Sequence, residues 1–178
     1  MPTPPPPPSD VVPAPAPVLP LAEAAALLPE RGALIGLDLG TKTIGVSSSD
    51  PDRRIATTVE TVKRTKFTAD ALRLLALADE RRAVAFVLGL PLNMDGSEGP
   101  RAQASRAFAR NFARLSRRPI ALWDERLSTA AVERALIAAD MSRARRAAVV
   151  DQHAALFILE GALDFLDRLR AEAEPPED

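Results

Sequence analysis

The sequence predicts an α/β domain on a five-stranded mixed sheet, three antiparallel strands followed by parallel ones, flanked by helices. Three observations carry this expectation: two strand-like runs joined by a tight turn near residue 40, a continuous apolar run over 84–88, and amphipathic helical stretches between the later strands. With 178 residues, 47% of them hydrophobic, the chain can bury one core and is too short for two large ones.

Residues 1–20 are dominated by proline, with a run at 4–8 and alternation at Pro13, Pro15 and Pro17. That composition suits extended polyproline conformation and cannot build a core. Residues 1–30 are therefore expected to be a disordered tail with one short helix over 21–28, stopped by Pro29. The folded domain is expected over 31–170, and 171–178 read as an acidic C-terminal tail.

The domain opens with Ala33-Leu-Ile-Gly-Leu-Asp-Leu39, the turn Gly40-Thr-Lys-Thr43 and Ile44-Gly-Val-Ser-Ser-Ser49, which together read as a hairpin. Pro51-Asp52 turns the chain into a third strand over 56–62. Phe67, Ala71, Leu74, Leu75 and Ala78 recur at helical spacing over 66–82. The run 84–88, ended by Gly89 and Pro91, suits a parallel strand covered on both faces. Pro100 starts a helix striped with Phe108, Phe112 and Leu115, and a strand follows over 119–123. Ser128 is the expected N-cap of a helix through Ala139. A basic stretch, Ser142-Arg-Ala-Arg-Arg146, separates it from a last helix running from Val149 to about Leu169. Strands entered through helical crossovers run parallel to one another.

Composition excludes several functions. Cysteine is absent, which removes disulfide frameworks, thiolate metal sites and cysteine nucleophiles and agrees with a reducing compartment. No apolar run spans a bilayer, and the first residues lack a basic region with an apolar block, so a cytoplasmic protein without membrane contact is expected. A net charge of −1 and a pI of about 5.9 argue against coating nucleic acid by bulk charge. Such a partner has to meet a local patch.

Three acids stand out. Asp38 ends an otherwise apolar strand, where a charge is costly unless it is paired; the plain alternative is a turn aspartate. Glu125 follows a later strand, and ligands of open α/β sheets gather beyond those carboxyl ends. Neighbouring strand residues face opposite ways, so one of Asp124 and Glu125 points into the site, and Glu125 is the preferred one. In a continuous last helix Asp151 shares a face with Ala155, Ile158 and Ala162, a side a solvated acid rarely takes. The alternative for Asp151 is a first-turn acid favoured by the helix dipole, worth about 0.3–1 kcal/mol. Three carboxylates at one sheet edge repel unless a hard dication neutralises them, and oxygen-only ligation suits Mg²⁺ or Mn²⁺. Such a centre serves phosphodiester hydrolysis, with Lys42 steadying a phosphate.

Four segments in order, Leu37-Asp-Leu-Gly-Thr-Lys-Thr-Ile-Gly-Val46, Gly89-Leu-Pro-Leu-Asn-Met-Asp-Gly96, Asp124-Glu-Arg-Leu-Ser-Thr129 and Asp151-Gln-His-Ala-Ala-Leu-Phe-Ile-Leu159, resemble the YqgF family. The resemblance covers roughly residues 33–166. It implies a RuvC-like nuclease of ribonuclease H-like fold, with Asp38, Glu125 and Asp151 as catalytic and metal-holding residues. The favoured substrate is structured RNA, the 5′ end of pre-16S rRNA; the alternative is branched DNA, cut as a Holliday junction resolvase. Thr43 stands where that family often has Arg, and Gln152-His153 replaces a frequent basic-hydrophobic pair.

Weaker substrate-contact candidates are Lys42, Asn93, Arg101, Arg126, Arg145 and Arg146, since arginine suits bidentate phosphate contacts. Exposed turns and genomic preference for arginine are the duller readings. His153, the only histidine, projects away from Asp151 on a continuous helix and is read as surface or packing. Two rivals remain open at this point: an ATPase, because Asp38-Leu-Gly-Thr41 also resembles a phosphate loop, and a binding module that does not cut. A monomer or a homodimer fits the sequence, a resolvase requiring the dimer.

Overall fold

The computed structural model describes residues 13–175, apart from the side chains of residues 128–131 and 134. Strands β1 (Val18–Pro20), β2 (Ala33–Leu39), β3 (Thr43–Ser49), β4 (Ala56–Lys63), β5 (Ala83–Leu90) and β6 (Ile120–Asp124) form one sheet in the order β1-β6-β5-β2-β3-β4. β2, β3 and β4 make an antiparallel meander, while β5 pairs parallel with β2, β6 with β5, and β1 with β6. This is the expected mixed sheet, antiparallel strands first and parallel ones after, with six strands where five were expected.

The extra strand corrects the reading of the proline-rich segment. Ala16 N–H donates to the Ala113 carbonyl and Pro17 accepts from Ile120 N–H, which seats Val18–Pro20 against β6. Ala16, Leu21 and Ala24 are buried. Proline is compatible with an edge strand, whose outer N–H groups bond nothing in the sheet, so proline content misplaced the boundary at residue 30. The run at 4–8 lies outside the described residues. Helix α1 (Leu21–Ala24) and a 3₁₀ turn (Ala25–Leu27) follow β1.

Side-chain alternation divides the core in two. On one face Ile35, Leu37, Phe86, Leu88, Ile120 and Leu122 pack against α2 (Phe67–Glu80) and α3 (Pro100–Ala113), with Phe86 and Phe112 meeting edge to face at 4.9 Å. On the other, Leu34, Val87, Ala121 and Trp123 receive Ile158, Leu159, Ala162, Leu163 and Leu166 of α6 (Ala154–Ala173). Small residues let α6 approach: a Cβ on Gly36 would stand 2.9 Å from Leu159 Cβ, and Ser47 Oγ donates to the Ala155 carbonyl at 2.7 Å.

Four helical details depart from expectation. Helix α4 (Glu125–Ala138) begins before Ser128: Asp124 is its N-cap and accepts from Arg126 N–H. Asp124 lies nearer the strand end and offers a stronger acceptor, so it takes the cap. The basic stretch is not a spacer but the first turn of α5 (Arg143–Gln152), N-capped by Ser142. The last helix is broken at His153, whose φ of −117° and ψ of 19° end α5 and precede α6. The stripe on α3 stops short of Leu115, which is exposed. No helix among the described residues is long and apolar enough to cross a membrane.

Candidate active site

The site forms where β2, β5 and β6 end on the α6 side. Asp38 shares strand parity with Leu34 and Gly36 on β2, and Glu125 continues the parity of Ala121 and Trp123 beyond β6. Between them lies Gly89 of β5, two residues before Pro91. A Cβ there would overlap Glu125 Oε1 and stand 2.5 Å from Ile158 Cδ1, so the Glu125 carboxylate rests directly on the Gly89 backbone beneath α6. Across the meander Asp38 faces Gly45, where a Cβ would lie 3.5 Å from Asp38 Cβ.

Asp38 and Glu125 are half-buried, and neither carboxylate has a hydrogen-bond or ion-pair partner among the described residues. Burial pushes the Asp38 carboxyl up, Arg101 counters it in part, and the charge of Asp151 adds to the rise. Glu125 is pushed up to about 7, by burial first and then by Asp38. Burial opposes both charges, Asp38 opposes the ionisation of Glu125 and Asp151 that of Asp38, which leaves an electrostatic deficit that a cation relieves. Arg101, exposed in the first turn of α3, is among the described residues the one base whose field lowers both.

A proton held by Glu125 in the native state but released on unfolding links stability to pH. Its pKa is raised on folding, so its contribution is complete below about pH 4.5 and is lost as pH rises through about 7. Urea melts in EDTA should therefore show stability falling between those values, with a flatter profile for Glu125→Gln. Parallel profiles for the two proteins would show that Glu125 is not held in this environment.

The third acid arrives differently from expectation. The break at His153 puts Asp151 on α5, so it does not share the α6 face of Ala155, Ile158 and Ala162, and it is exposed rather than inward. It nevertheless lines a cleft of about 310 Å³ together with Asp38, Thr43, Thr58, Thr61 and His153, and its charge reaches Asp38. Among the described residues no three acid or histidine side chains close into one metal cage. Asp38 and Glu125 are thus brought together, and Asp151 shares the cleft over β3 and β4 with Asp38 alone of the two.

Asp124 does not join them. Arg126 holds its carboxyl below the usual range through bonds from Nε and Nη2, at 3.0 and 2.7 Å, while Nη1 reaches the Met94 carbonyl at 3.3 Å. Arg126, expected at the substrate, instead fastens the 93–97 loop to the start of α4. Asn93 is likewise engaged inside that loop, donating to Ser97 Oγ at 2.9 Å. Arg126→Ala is expected to speed amide exchange in 93–97 by freeing the loop from the start of α4. Unchanged exchange there would show that the loop stands by itself.

Lys42 is exposed in the turn beside Asp38, and its carbonyl accepts from Arg64 N–H. Arg145 is exposed on α5, whereas Arg146 is half-buried and donates to the Met141 carbonyl. His153, read as surface or packing, sets its ring against Phe157 and turns Nδ1 away from solvent with no partner among the described residues. Sequence reasoning missed Gly89, whose place at the end of an apolar run was the available signal, and the Asp124–Arg126 pair, signalled by its i, i+2 spacing at a helix start.

A family model described as RuvX, Holliday junction resolvase, matches residues 32–165. A protein of Rhodopseudomonas palustris (strain BisB5) named "Putative pre-16S rRNA nuclease" is 76% identical over 152 residues, which cover 85% of this chain and 95% of that one. One of the same name from Bradyrhizobium sp. (strain BTAi1) is 71% identical over 160 residues, 90% of this chain and 99% of that one. Another from Nitrobacter winogradskyi is 72% identical over 161 residues, again 90% and 99%.

Proposed function

The chain belongs to the RuvX family, and from that premise we propose that it is a metal-dependent nuclease that trims the 5′ end of pre-16S rRNA in the cytoplasm. The observation that carries the reading is the Asp38–Glu125 pair, two desolvated carboxylates with no cation bonded to either among the described residues, at the strand ends where such folds bind ligands. The donor set fits the ion: hard oxygens only, in an environment that penalises their negative charge, suit Mg²⁺ or Mn²⁺. Asp38 and Glu125 would hold it, with Asp151 contributing from α5.

When bound, the ion supplies Lewis acidity at the scissile phosphate and an activated water. The chain's own groups supply the rest. Arg101, facing both acids, holds a phosphate oxygen and offsets the charge gathered there. Lys42 adds a second positive charge from the turn. The α6 roof over Gly89 keeps Glu125 from swinging away, so its oxygens face the phosphate without reorganisation.

The test is cleavage by the purified full-length protein, with Mg²⁺ or Mn²⁺, of a precursor RNA carrying the 5′ extension and of a four-way DNA junction. Discrete cuts in the RNA, abolished by EDTA and absent from the junction, are the expected result. Symmetric incision of the junction by a dimer, with the RNA left intact, would replace this reading with the resolvase.

A further inference from the structure

We propose that the cavity between α4 and α5 is a backbone-phosphate subsite, held by Arg143 and Arg146 and joined to the cleavage site through Asp151; this rests on the nuclease reading above. Asp151 borders two cavities. The cleft over β3 and β4 carries Asp38, Glu60 and Asp151, and Glu60 already has its cation in Arg73, at 2.6 Å. The second, about 510 Å³, has apolar walls in Ile137, Ala147 and Val150 and is lined by both arginines, with Glu133 and Asp151 as its acids.

The two sides therefore differ in what they accept. The first offers hydroxyls and carboxylates and no unmatched cation among the described residues, which suits a sugar or base. The second offers guanidinium groups beside apolar surface, which suits a phosphodiester. Arg143 and Arg146 are three apart and so share one helical face. Neither is in a salt bridge among the described residues, and the Arg146 side chain makes one hydrogen bond among them, from Nη1 to the Met141 carbonyl, which leaves its other donors for an incoming oxygen. A strand with its scissile phosphate at Asp38 and Glu125 that continues past Asp151 enters this cavity. Arg145, between the two in sequence, is exposed and does not line it.

The experiment is binding of fluorescently labelled, single-stranded precursor RNA to the full-length protein in EDTA, over about 50–200 mM salt, with kcat and KM measured separately in Mg²⁺. Arg143→Gln and Arg146→Gln are each expected to weaken binding about 5- to 10-fold and to reduce the slope of log affinity against log salt by about 0.7, the value for one single-strand phosphate contact. KM should rise accordingly, with kcat within about twofold. Arg145→Gln should change neither affinity nor slope, and Arg143→Lys should keep the slope.

Unchanged affinity and slope in the folded Gln variants would overturn the subsite, as would an equal loss for Arg145→Gln, which would show diffuse attraction. Among the described residues the Arg143 side chain makes no hydrogen bond, so Arg143→Gln keeps the test decisive should Arg146→Gln disturb α5. RNA that is bound with these dependences but not cut would remove the nuclease reading and leave the subsite. RNA that is cut while both variants bind as wild type would do the reverse.

Discussion

Asp38→Asn and Glu125→Gln are each expected to lower metal-dependent cleavage by about 10³-fold or more while leaving the protein at least as stable as its parent. The two halves of this result have one cause. Each substitution keeps the side chain's shape and removes a charge that burial and a neighbouring acid already oppose. At neutral pH the parent bears that cost; the amide does not, and the gain at Glu125 is bounded by about 3 kcal/mol for a carboxyl moved from 4.5 to about 7. Activity falls because a neutral amide oxygen is a far weaker partner for a dication than a carboxylate. Cleavage rates with chemical melts at pH 7.5 check both. A variant that loses activity only because it unfolds would show the acids to be structural.

Gly89→Ala has the second-largest expected effect, acting through the backbone rather than through charge. The added methyl would occupy the place of Glu125 Oε1 and press on Ile158, so either the carboxylate swings off the site or α6 lifts from the sheet. Overpacking of this kind costs about 1–3 kcal/mol, and a displacement of about an ångström at a reacting group costs about 10²-fold in rate. Both losses are expected, the rate loss persisting at temperatures where the variant is fully folded. Gly99→Ala is the matched control: its Cβ would meet nothing nearer than 3.6 Å, and a change within about 0.5 kcal/mol is expected. Wild-type rates for Gly89→Ala would mean that Glu125 does not need its seat on β5.

The central strands were legible because apolar runs and turn residues agree locally, and Asp38 was legible because a charge closing an apolar strand is rare. Alternation separated Glu125 from Asp124, and the structure shows the consequence: one acid on Gly89, the other bound by Arg126. What was not legible depended on contacts distant in the chain. Proline content hid β1, since whether Val18–Pro20 forms a strand depends on the open edge of β6 a hundred residues later. No glycine or proline marks the break at His153, so helical periodicity ran through it and assigned Asp151 to a face it does not share. Gly89 looked like a strand terminator because its neighbour Glu125 comes from another strand's end.

The most direct measurement is Mn²⁺ binding to the full-length protein followed by electron paramagnetic resonance at pH 7.5, without nucleic acid. Saturable binding by wild type that is lost in Asp38→Asn and in Glu125→Gln, and weakened in Asp151→Asn, is the expected result. Equal Mn²⁺ binding by all four proteins, or none by wild type at millimolar ion, would mean that these carboxylates hold no metal.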